Sequence, residues 1–445
     1  MDPTRRETRD LGEAGEEVTA PIFGSRGGEV ESVSGRLDAP ARRVGSESST
    51  QLQVNFPISI SWHPPALGKL VPMTETITIP ASLLPADGRF GCGPSKVRPE
   101  AIAALADAAP TYLGTSHRQA AVLFEVGALR NNIAELFSLP DGYEVLLGNG
   151  GSTLFWDVAT FGLIRERSQH LVFGEFSSKF FSASKSAPHL GQPSKIETDP
   201  GTHPLSVAED GIDLYAMTHN ETSTGVMMPL TRPEGIDDDA LVVVDATSGA
   251  GGLRVDMSQV DVYYFAPQKC FASDGGLWIA CCSPRAIARI EEIAASDRWR
   301  PASLDLGIAL ESSRKDQTYN TPALATIFLA NQQLRWVLDN GGLEFAAGRS
   351  DQSSSHLYAW ADAHELATPF VTVEAERSRV VGTIDFADSV DAARLAAVLR
   401  HNGILDVEPY RKLGRNQLRV AMFPAVDPSD VTALTACVDY VLERL

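Results

Sequence analysis

The chain has 445 residues, 43% hydrophobic content and a formal net charge of -19. This length allows two or three domains with sizeable cores, and the negative charge argues against nucleic acid or an anionic membrane as the main partner. No stretch reaches the roughly 18 apolar residues that a membrane-spanning helix needs. The five cysteines form no CxxC pair and no zinc-like spacing, so we expect reduced thiols in a cytoplasmic protein without a metal site.

Residues 1–72 differ in composition from the rest of the chain. They are rich in Gly, Ser, Arg and Glu and show no sustained helical or strand period, so we predict a disordered extension. The first residues are too charged for a signal peptide and too acidic for a transit peptide. Met73 precedes the sequence that leads into the folded region, and we hypothesise that translation begins there.

From residue 97 onward the apolar residues alternate between helical and strand spacing. The spacing predicts helices at 97–109, 128–139, 152–164, 177–185, 284–296, 324–342, 391–403 and the C-terminus. It predicts strands at 143–151, 170–176, 213–220, 240–246, 262–269, 275–283, 380–386 and 417–423. Strands that alternate with helices are typical of an α/β fold with a mostly parallel sheet. We predict a large domain at 95–340 and a smaller α+β domain at 341–445, with residues 85–94 packing near the smaller one.

Two apolar runs end in groups of opposite charge. LVVVD ends in Asp245, and the run 262–269 ends in Lys269. Because parallel strands end at one edge of a sheet, we expect the acid and the amine at one site. A desolvated lysine has a lowered pKa and becomes a nucleophile, as in enzymes that form Schiff bases. A buried salt bridge between the two, or a lysine that reaches solvent, explains the same spacing about as well.

Three further features fit a cofactor site, although each has a simpler explanation. The turn GNGGST (148–153) offers backbone N–H groups to a phosphate, or it is only a tight turn. We predict that Ser152 or Thr153 caps the helix that follows it. Phe176, at the end of its predicted strand, either fills the core or lies on a planar ring. HNETSTG (219–225) is either a loop or a set of ligand donors. Together with the acid and the amine, these features match the requirements of pyridoxal phosphate.

From about residue 88 to the end, the chain resembles the phosphoserine aminotransferases, a family of class V, fold-type I pyridoxal-phosphate enzymes, and above all their actinobacterial branch. The resemblance rests on collinear segments that span nearly the whole folded region. They are RFGCGPSKVR (89–98), GTSHRQA (114–120), LPDGYEVLLGNGG (139–151), HNETSTGV (219–226), VVVDATSGAGG (242–252), YYFAPQKCFASDGGLW (263–278), QTYNTPA (317–323) and EPYRKLGRNQLRVAMFPAV (408–426). It implies a seven-stranded, mostly parallel sheet in the large domain and pyridoxal 5'-phosphate as the cofactor.

The resemblance implies contacts to the cofactor ring residue by residue. Lys269 would bond covalently to the cofactor aldehyde, with Gln268 beside it. Asp245 would pair with the ring nitrogen and keep it protonated. Thr222 would donate towards the phenolic oxygen, and Phe176 would stack on the ring where many relatives have Trp.

The resemblance also implies that two subunits meet at the cofactor phosphate. Gly151 and Ser152 would bind it from one chain, although many relatives have Arg at the Ser152 position. Asn320 and Thr321 would reach it from the neighbouring subunit, which implies a homodimer with shared active sites. Without the resemblance, these two residues would be interpreted as a turn before a helix.

Arginines would recognise the substrates. Arg419 would clamp the α-carboxylate in a bidentate fork. His117 and Arg118, from the partner subunit, would face the distal phosphate or carboxylate; without the resemblance they would be a surface loop. The chain departs from the His-Arg pair that the family often has shortly before the carboxylate arginine. Three basic residues are the candidates for that half of the phosphate pocket: Arg411, Lys412 and Arg415.

These assignments imply reversible transfer of an amino group from L-glutamate to 3-phosphohydroxypyruvate, which gives 2-oxoglutarate and O-phospho-L-serine in L-serine biosynthesis. Another fold-type I enzyme, such as an alanine–glyoxylate-type aminotransferase or a cysteine desulfurase, stays an alternative. So does a non-enzymatic nucleotide-binding protein with a structural Asp–Lys pair. The sequence does not decide whether the enzyme also acts on 3-hydroxy-2-oxo-4-phosphobutanoate in pyridoxine biosynthesis.

Overall fold

The computed structural model describes residues 77–445. The predicted extension 1–72 and the proposed start at Met73 lie outside these residues. All five cysteines are buried and free. Within residues 77–445, no helix combines the length and the apolar character that crossing a membrane requires.

A seven-stranded sheet with the strand order β1-β9-β8-β7-β4-β2-β3 forms the centre of the fold. Strand β9 is antiparallel to both of its neighbours, and all other adjacent pairs are parallel. These strands are β1 (Glu144–Asn149), β2 (Ser168–Val172), β3 (Ser194–Glu197), β4 (Leu214–Thr218), β7 (Leu241–Asp245), β8 (Val262–Phe265) and β9 (Leu277–Cys282). A short hairpin of β5 (Asn220–Glu221) and β6 (Val226–Met227) follows β4. The predicted α/β fold with a mostly parallel, seven-stranded sheet is confirmed.

Helices cover both faces of this sheet. They are α1 (Pro99–Tyr112), α2 (Ala120–Leu136), α3 (Ser152–Gly162), α4 (Glu175–Ser186), α5 (Pro284–Ala294), α6 (Leu306–Ser313) and α7 (Leu324–Asp339). Along β7, Leu241 and Val243 join a core with α3 to α6, whereas Val242 and Val244 join a core with α2 and α7. Because β7 is buried on both faces, its sequence is an unbroken apolar run rather than an alternating one.

A second, antiparallel sheet contains β10 (Ala367–Pro369), β11 (Val381–Phe386) and β12 (Gln417–Ala421). It packs around its own core with α8 (Gly342–Ala363), α9 (Ala392–His401) and α10 (Pro428–Leu442). Phe90 lies in the same core, and its backbone N–H donates to Leu405 O at 3.2 Å while its carbonyl accepts from Ala421 N at 3.0 Å. The segment around Phe90 therefore packs with this sheet, and the predicted division into domains at residue 340 stays a prediction.

Two of the residues singled out in the sequence lie on other elements than predicted. Strand β8 ends at Phe265, since Pro267 has no N–H to extend the ladder, and Lys269 lies in the turn that follows. Phe176 was predicted to end a strand, but it lies in the first turn of α4. In both cases the strand is shorter than the apolar run that predicted it.

The predicted cap of α3 is also wrong. Neither Ser152 nor Thr153 caps this helix; the N-cap is Gly151, at φ 79° and without a side-chain bond. This φ lies in the left-handed region, which favours glycine. The Ser152 hydroxyl is therefore free to bond elsewhere, and it forms a hydrogen bond with Thr247 Oγ1 at 2.7 Å.

Candidate active site

A cavity of about 360 Å³ lies at the carboxyl edge of the central sheet. Strand β4 contributes Thr218, β7 contributes Asp245, and the turn after β8 contributes Gln268 and Lys269. The parallel strands end here together, and their ends leave a crevice where an α/β sheet typically binds ligands. The sequence predicts that an acid and an amine lie at one edge of the sheet, and the structure has both residues there.

Lys269 is buried, with 7% of its surface exposed. Its Nζ donates a hydrogen bond to Thr222 Oγ1 at 3.0 Å and lies 5.3 Å from the ring centroid of Phe176. Burial lowers the pKa of the Lys269 ammonium, and the negative charge of Asp245 opposes this effect. A lowered pKa increases the fraction of neutral amine, the form that acts as a nucleophile or a base.

Asp245 is oriented by donors from two directions. Trp156 Nε1, on α3, donates to Oδ2 at 3.1 Å. The backbone N–H and the hydroxyl of Thr247 donate to Oδ1 at 3.0 and 2.6 Å. Among residues 77–445, Asp245 forms no ion pair with Lys269 or any other cation within 4.0 Å. These donors fix the orientation of the carboxylate inside the cavity.

A chain of hydrogen bonds holds the Lys269 side of the cavity. The Thr222 hydroxyl, which accepts from Lys269, donates to Ser248 Oγ at 2.8 Å. Asn220 Nδ2 donates to the same Ser248 Oγ at 2.9 Å. Within the described part of the chain, two side-chain oxygens in this cavity are buried without a partner, Asn220 Oδ1 and Gln268 Oε1. Buried acceptors without a partner lower the stability of the fold, and they are available to a ligand that carries hydrogen-bond donors.

The turn between β1 and α3 forms the far end of the cavity. Gly150, Gly151, Ser152 and Thr153 line it together with the amino-terminal turn of α3. The helix leaves backbone N–H groups without intrahelical partners at this end, and its dipole favours negative charge there. The positions of Gly151 and Ser152 therefore suit an anionic group such as a phosphate.

Arg419 lies on β12, next to the cavity. Its Nη1 donates to Thr222 O at 3.3 Å, and its guanidinium lies 5.4 Å from the ring centroid of Tyr410. Its Nε is buried without a partner among residues 77–445. This guanidinium therefore keeps donor capacity for a carboxylate, close to the residue that accepts a bond from Lys269.

Four predicted residues lie outside this cavity. His117 Nδ1 is 3.1 Å from Thr321 Oγ1, and Asn149 Nδ2 donates to the carbonyls of Asn320 and Thr321, both at 3.2 Å. Arg118 is exposed beside His117. None of the four lines the cavity of its own chain.

The three basic candidates near β12 differ in their surroundings. Arg415 Nε donates to Asp385 Oδ2 at 2.9 Å, and Lys412 pairs with Glu175. Within residues 77–445, the Arg411 side chain has no hydrogen bond or ion pair. The structure thus leaves Arg411 as the candidate whose charge is not already neutralised.

Sequence reasoning missed several residues that shape the site. Thr247 and Ser248 lie two and three residues after Asp245 in DATSG, and polar residues so close to the end of a buried strand could have been recognised in the sequence. Trp156 gave no signal, because it lies within a helix and its partner is 89 residues away. Glu221 lies in HNETSTG and is 0% exposed, but nothing in the sequence indicates its hydrogen-bond partners.

Residues 190–406 match the profile of the family described as Aminotransferase class-V. The phosphoserine aminotransferase of Nocardioides sp. is 61% identical over 374 residues, which are 84% of this chain and 100% of that protein. The crystal structure of a phosphoserine aminotransferase from Cytophaga hutchinsonii superposes with a TM-score of 0.72 at 23% identity, over 80% of this chain and 98% of that one. The corresponding protein from Trichomonas vaginalis, solved with pyridoxal phosphate bound, gives a TM-score of 0.69 at 19% identity, over 79% and 99%.

The two structural similarities independently support the fold, which the seven-stranded sheet already indicated. The identity of 61% over the full length of a relative and 84% of this chain goes further, because it is high enough to show the family. The chain therefore belongs to the phosphoserine aminotransferase family of class V aminotransferases.

Proposed function

We propose that this chain transfers an amino group reversibly between L-glutamate and 3-phosphohydroxypyruvate, giving 2-oxoglutarate and O-phospho-L-serine, with pyridoxal phosphate as cofactor. The observation that carries the proposal is that Lys269 and Asp245 line one cavity without pairing with each other. An acid and an amine that line one cavity without bonding each other suit a ring that needs both. The family to which the chain belongs supports the choice of substrates.

The residues of the cavity fit the cofactor. The glycine turn offers N–H groups to a phosphate, Asp245 offers a carboxylate to a ring nitrogen, and Phe176 offers a flat aromatic surface. Gly93, at φ 139°, lets the backbone approach closely, since a Cβ there would come within 2.8 Å of Lys269 Cε. A side chain at this position would displace the lysine that has to bond the cofactor.

When bound, pyridoxal phosphate supplies an aldehyde that bonds a primary amine and a ring that takes up the electron pair left at the substrate Cα. Gly151 and Ser152 hold its phosphate, Thr222 and Gln268 meet its polar edge, and Phe176 covers its face. Asp245 keeps a negative charge opposite the ring nitrogen, and its three donors hold it there in advance of the reaction. This preorganised charge stabilises the transition state without any rearrangement of solvent.

Lys269 would act as the base of the reaction when its amine is free. Its Nζ removes the proton from Cα of glutamate and returns a proton to Cα of the phosphorylated product in the second half of the reaction. Burial favours the neutral amine that the first of these transfers needs. The hydrogen bond to Thr222 keeps Nζ on the side of the cavity nearest Arg419, where the substrate carboxylate would bind.

Arg419 supplies the carboxylate site, and its unpartnered Nε suits a bidentate bond. The distal phosphate is recognised by Arg411 of the same chain and by His117 and Arg118 of a second copy. Arg415 is a weaker candidate for this pocket than expected, because Asp385 already neutralises it.

The active enzyme is a homodimer in which each subunit completes the site of the other, and it works in the cytoplasm. Several observations support this assembly. His117, Asn320 and Thr321 form a cluster outside the cavity of their own chain, and His117 Nε2 is buried without a partner among residues 77–445. Phe124, on α2, is 67% exposed, and a contact with a second copy at this position would bury its apolar surface.

The test is to purify the protein, record its visible spectrum, and treat it with borohydride. We expect a yellow protein in which borohydride fixes the cofactor to the peptide that contains Lys269, as detected by mass spectrometry. Lys269→Ala should remove both the visible band and the activity. Assays with several amino donors, and with both three- and four-carbon phosphorylated oxo acids, separate this activity from those of other fold-type I enzymes. A colourless protein, or a Lys269→Ala variant with normal turnover, would refute the proposal.

A further inference from the structure

Glu221 is a buried carboxylate that the proposed reaction does not use. It is 0% exposed and, among residues 77–445, forms no ion pair. Burial of an ionised group is costly unless hydrogen bonds compensate. The hydrogen-bond partners of Glu221 therefore indicate which part of the fold this carboxylate stabilises.

Its Oε2 accepts three hydrogen bonds from the start of α4. They come from Phe176 N at 3.1 Å, Ser177 N at 2.9 Å and Ser177 Oγ at 3.0 Å. A carboxylate at this position satisfies the free N–H groups of the first turn and complements the helix dipole. The capping group is supplied by β5, far along the chain, and not by a neighbouring residue of α4.

Its Oε1 is held by Ser223, which extends the same network. Ser223 N and Ser223 Oγ donate to Oε1 at 3.1 and 2.7 Å. Ser223 Oγ in turn accepts from Glu175 N at 3.0 Å, so that a third N–H of α4 is satisfied through it. Gly174 leaves room for this arrangement, because a Cβ there would come within 2.3 Å of Glu221 Cγ.

The first turn of α4 carries Phe176, whose ring centroid is 5.3 Å from Lys269 Nζ. Glu221 bonds the backbone N–H of Phe176 itself, and Thr222, the next residue in the chain, accepts from Lys269. Two consecutive residues, Glu221 and Thr222, therefore fix both the ring and the amine that face the cofactor.

We propose that Glu221 is a positioning residue that fixes the first turn of α4 so that the Phe176 ring stays stacked over the cofactor. The inference rests on the proposed function. It predicts that loss of the Glu221 carboxylate weakens cofactor binding because the Phe176 ring is no longer held in place. A lower stability of the fold is not a sufficient explanation of that effect.

The test is a double-mutant cycle of Glu221→Gln and Phe176→Ala, measured on the holoenzyme. Gln keeps the size of Glu221 but turns one acceptor into a donor that faces other donors. We expect Glu221→Gln to raise the cofactor dissociation constant about tenfold and to reduce the visible circular dichroism of the bound cofactor. In the Phe176→Ala background the same change should have less than about a twofold effect, since residues that act through one another are not additive.

Asp391→Asn is the matched control, because Asp391 caps α9 with two hydrogen bonds to backbone N–H groups away from the cavity. This variant should leave the dissociation constant and the dichroism unchanged. If Glu221→Gln does not fold, Ser223→Ala takes its place in the cycle, with a smaller effect in the same direction.

Equal effects of Glu221→Gln in both backgrounds would overturn the inference, as would no effect in either background or an equal effect of Asp391→Asn. A wild-type protein without a visible cofactor band would instead refute the proposed function, so the two failures are distinguishable.

Discussion

Asp245 and Lys269 face one cavity, yet each bonds to other groups. Asp245 is 6% exposed and Lys269 is 7% exposed. The carboxylate is held by Trp156 and Thr247, and the ammonium donates to Thr222. Two buried charges that do not neutralise each other destabilise the fold. The arrangement is explained if a ligand with complementary charge fills the space between them.

Asp245→Ala should lower turnover by at least about 100-fold, since it removes a preorganised charge that acts in the transition state. Cofactor affinity should fall as well. Thr247→Val is the graded comparison: it removes the 2.6 Å hydroxyl bond to Oδ1 but keeps the backbone bond, so we expect a much smaller loss. Steady-state kinetics with saturating cofactor measure both effects. Unchanged kinetics in Asp245→Ala would show that the acid is only structural.

Lys269→Met should make the cofactor-free protein more stable at pH 7. Lys269 has its ordinary pKa of 10.5 when unfolded, and burial lowers the pKa in the folded chain. Between the two values the unfolded chain binds more protons, so wild-type stability rises with pH through that window. The advantage of Lys269→Met should therefore shrink as the pH approaches 10.5.

Thermal unfolding across this pH range measures the effect, and each 1 kcal/mol shifts the melting temperature by only about 1 °C in a folded region of this size. Lys315→Met, at an exposed position, should change the free energy of unfolding by no more than about 0.5 kcal/mol. If Lys269→Met were destabilising at pH 7, or if its advantage grew with pH, the lysine would not be strained by burial.

The sequence predicts best the elements whose apolar residues are large. Strand β7 was predicted at 240–246 and spans Leu241–Asp245. Helix α8, at Gly342–Ala363, was not predicted. Its buried face includes Ala346, Ala347, Ser350, Ser353 and Ser354, and small side chains do not produce a recognisable apolar stripe.

The same limit applies to the site. Asp245 and Lys269 could be found because each follows a buried strand, and strand ends meet at one edge. Trp156 and Glu221 act through partners that are distant in sequence, 89 residues away for Trp156 and 45 residues away for the bond from Phe176 to Glu221. Only the folded chain brings such pairs together, so no local pattern predicts them.

Arg419→Lys should raise the Michaelis constant for both substrates, by about tenfold or more, because a lysine cannot make the bidentate bond to a carboxylate. Arg400→Lys is the control. Arg400 is on α9, outside the cavity, and pairs with Asp406 and Glu408, so its replacement should leave both constants unchanged. No effect of Arg419→Lys on either substrate would move the carboxylate site elsewhere.

Arg411→Ala should distinguish the two substrates. We expect a larger rise in the Michaelis constant for the phosphorylated oxo acid than for glutamate, because a doubly charged phosphate depends more strongly on an additional cation. Arg415→Ala should have the smaller effect of the two, since Asp385 already bonds that guanidinium. The opposite order would assign the pocket to Arg415.

Subunit mixing tests whether the sites are shared. Lys269→Ala and Arg118→Ala should each be nearly inactive alone, because one lacks the base and the other lacks the phosphate ligand. If each site takes Lys269 from one chain and Arg118 from the other, a mixed dimer has one intact site and one doubly defective site. Random reassociation of equal amounts should then restore about one quarter of the wild-type activity.

The control is a mixture of Lys269→Ala with Asp245→Ala, two residues that line the cavity of one chain. This mixture should stay inactive, because every site in the mixed dimer lacks one of the two groups. The proportion of mixed dimers is measured by native mass spectrometry with differently tagged chains. Mixed dimers of Lys269→Ala and Arg118→Ala that form but show no activity would mean that each chain builds its site alone. A fully active Arg118→Ala variant would instead mean that His117 and its neighbours are surface residues, as the sequence without its family resemblance suggests.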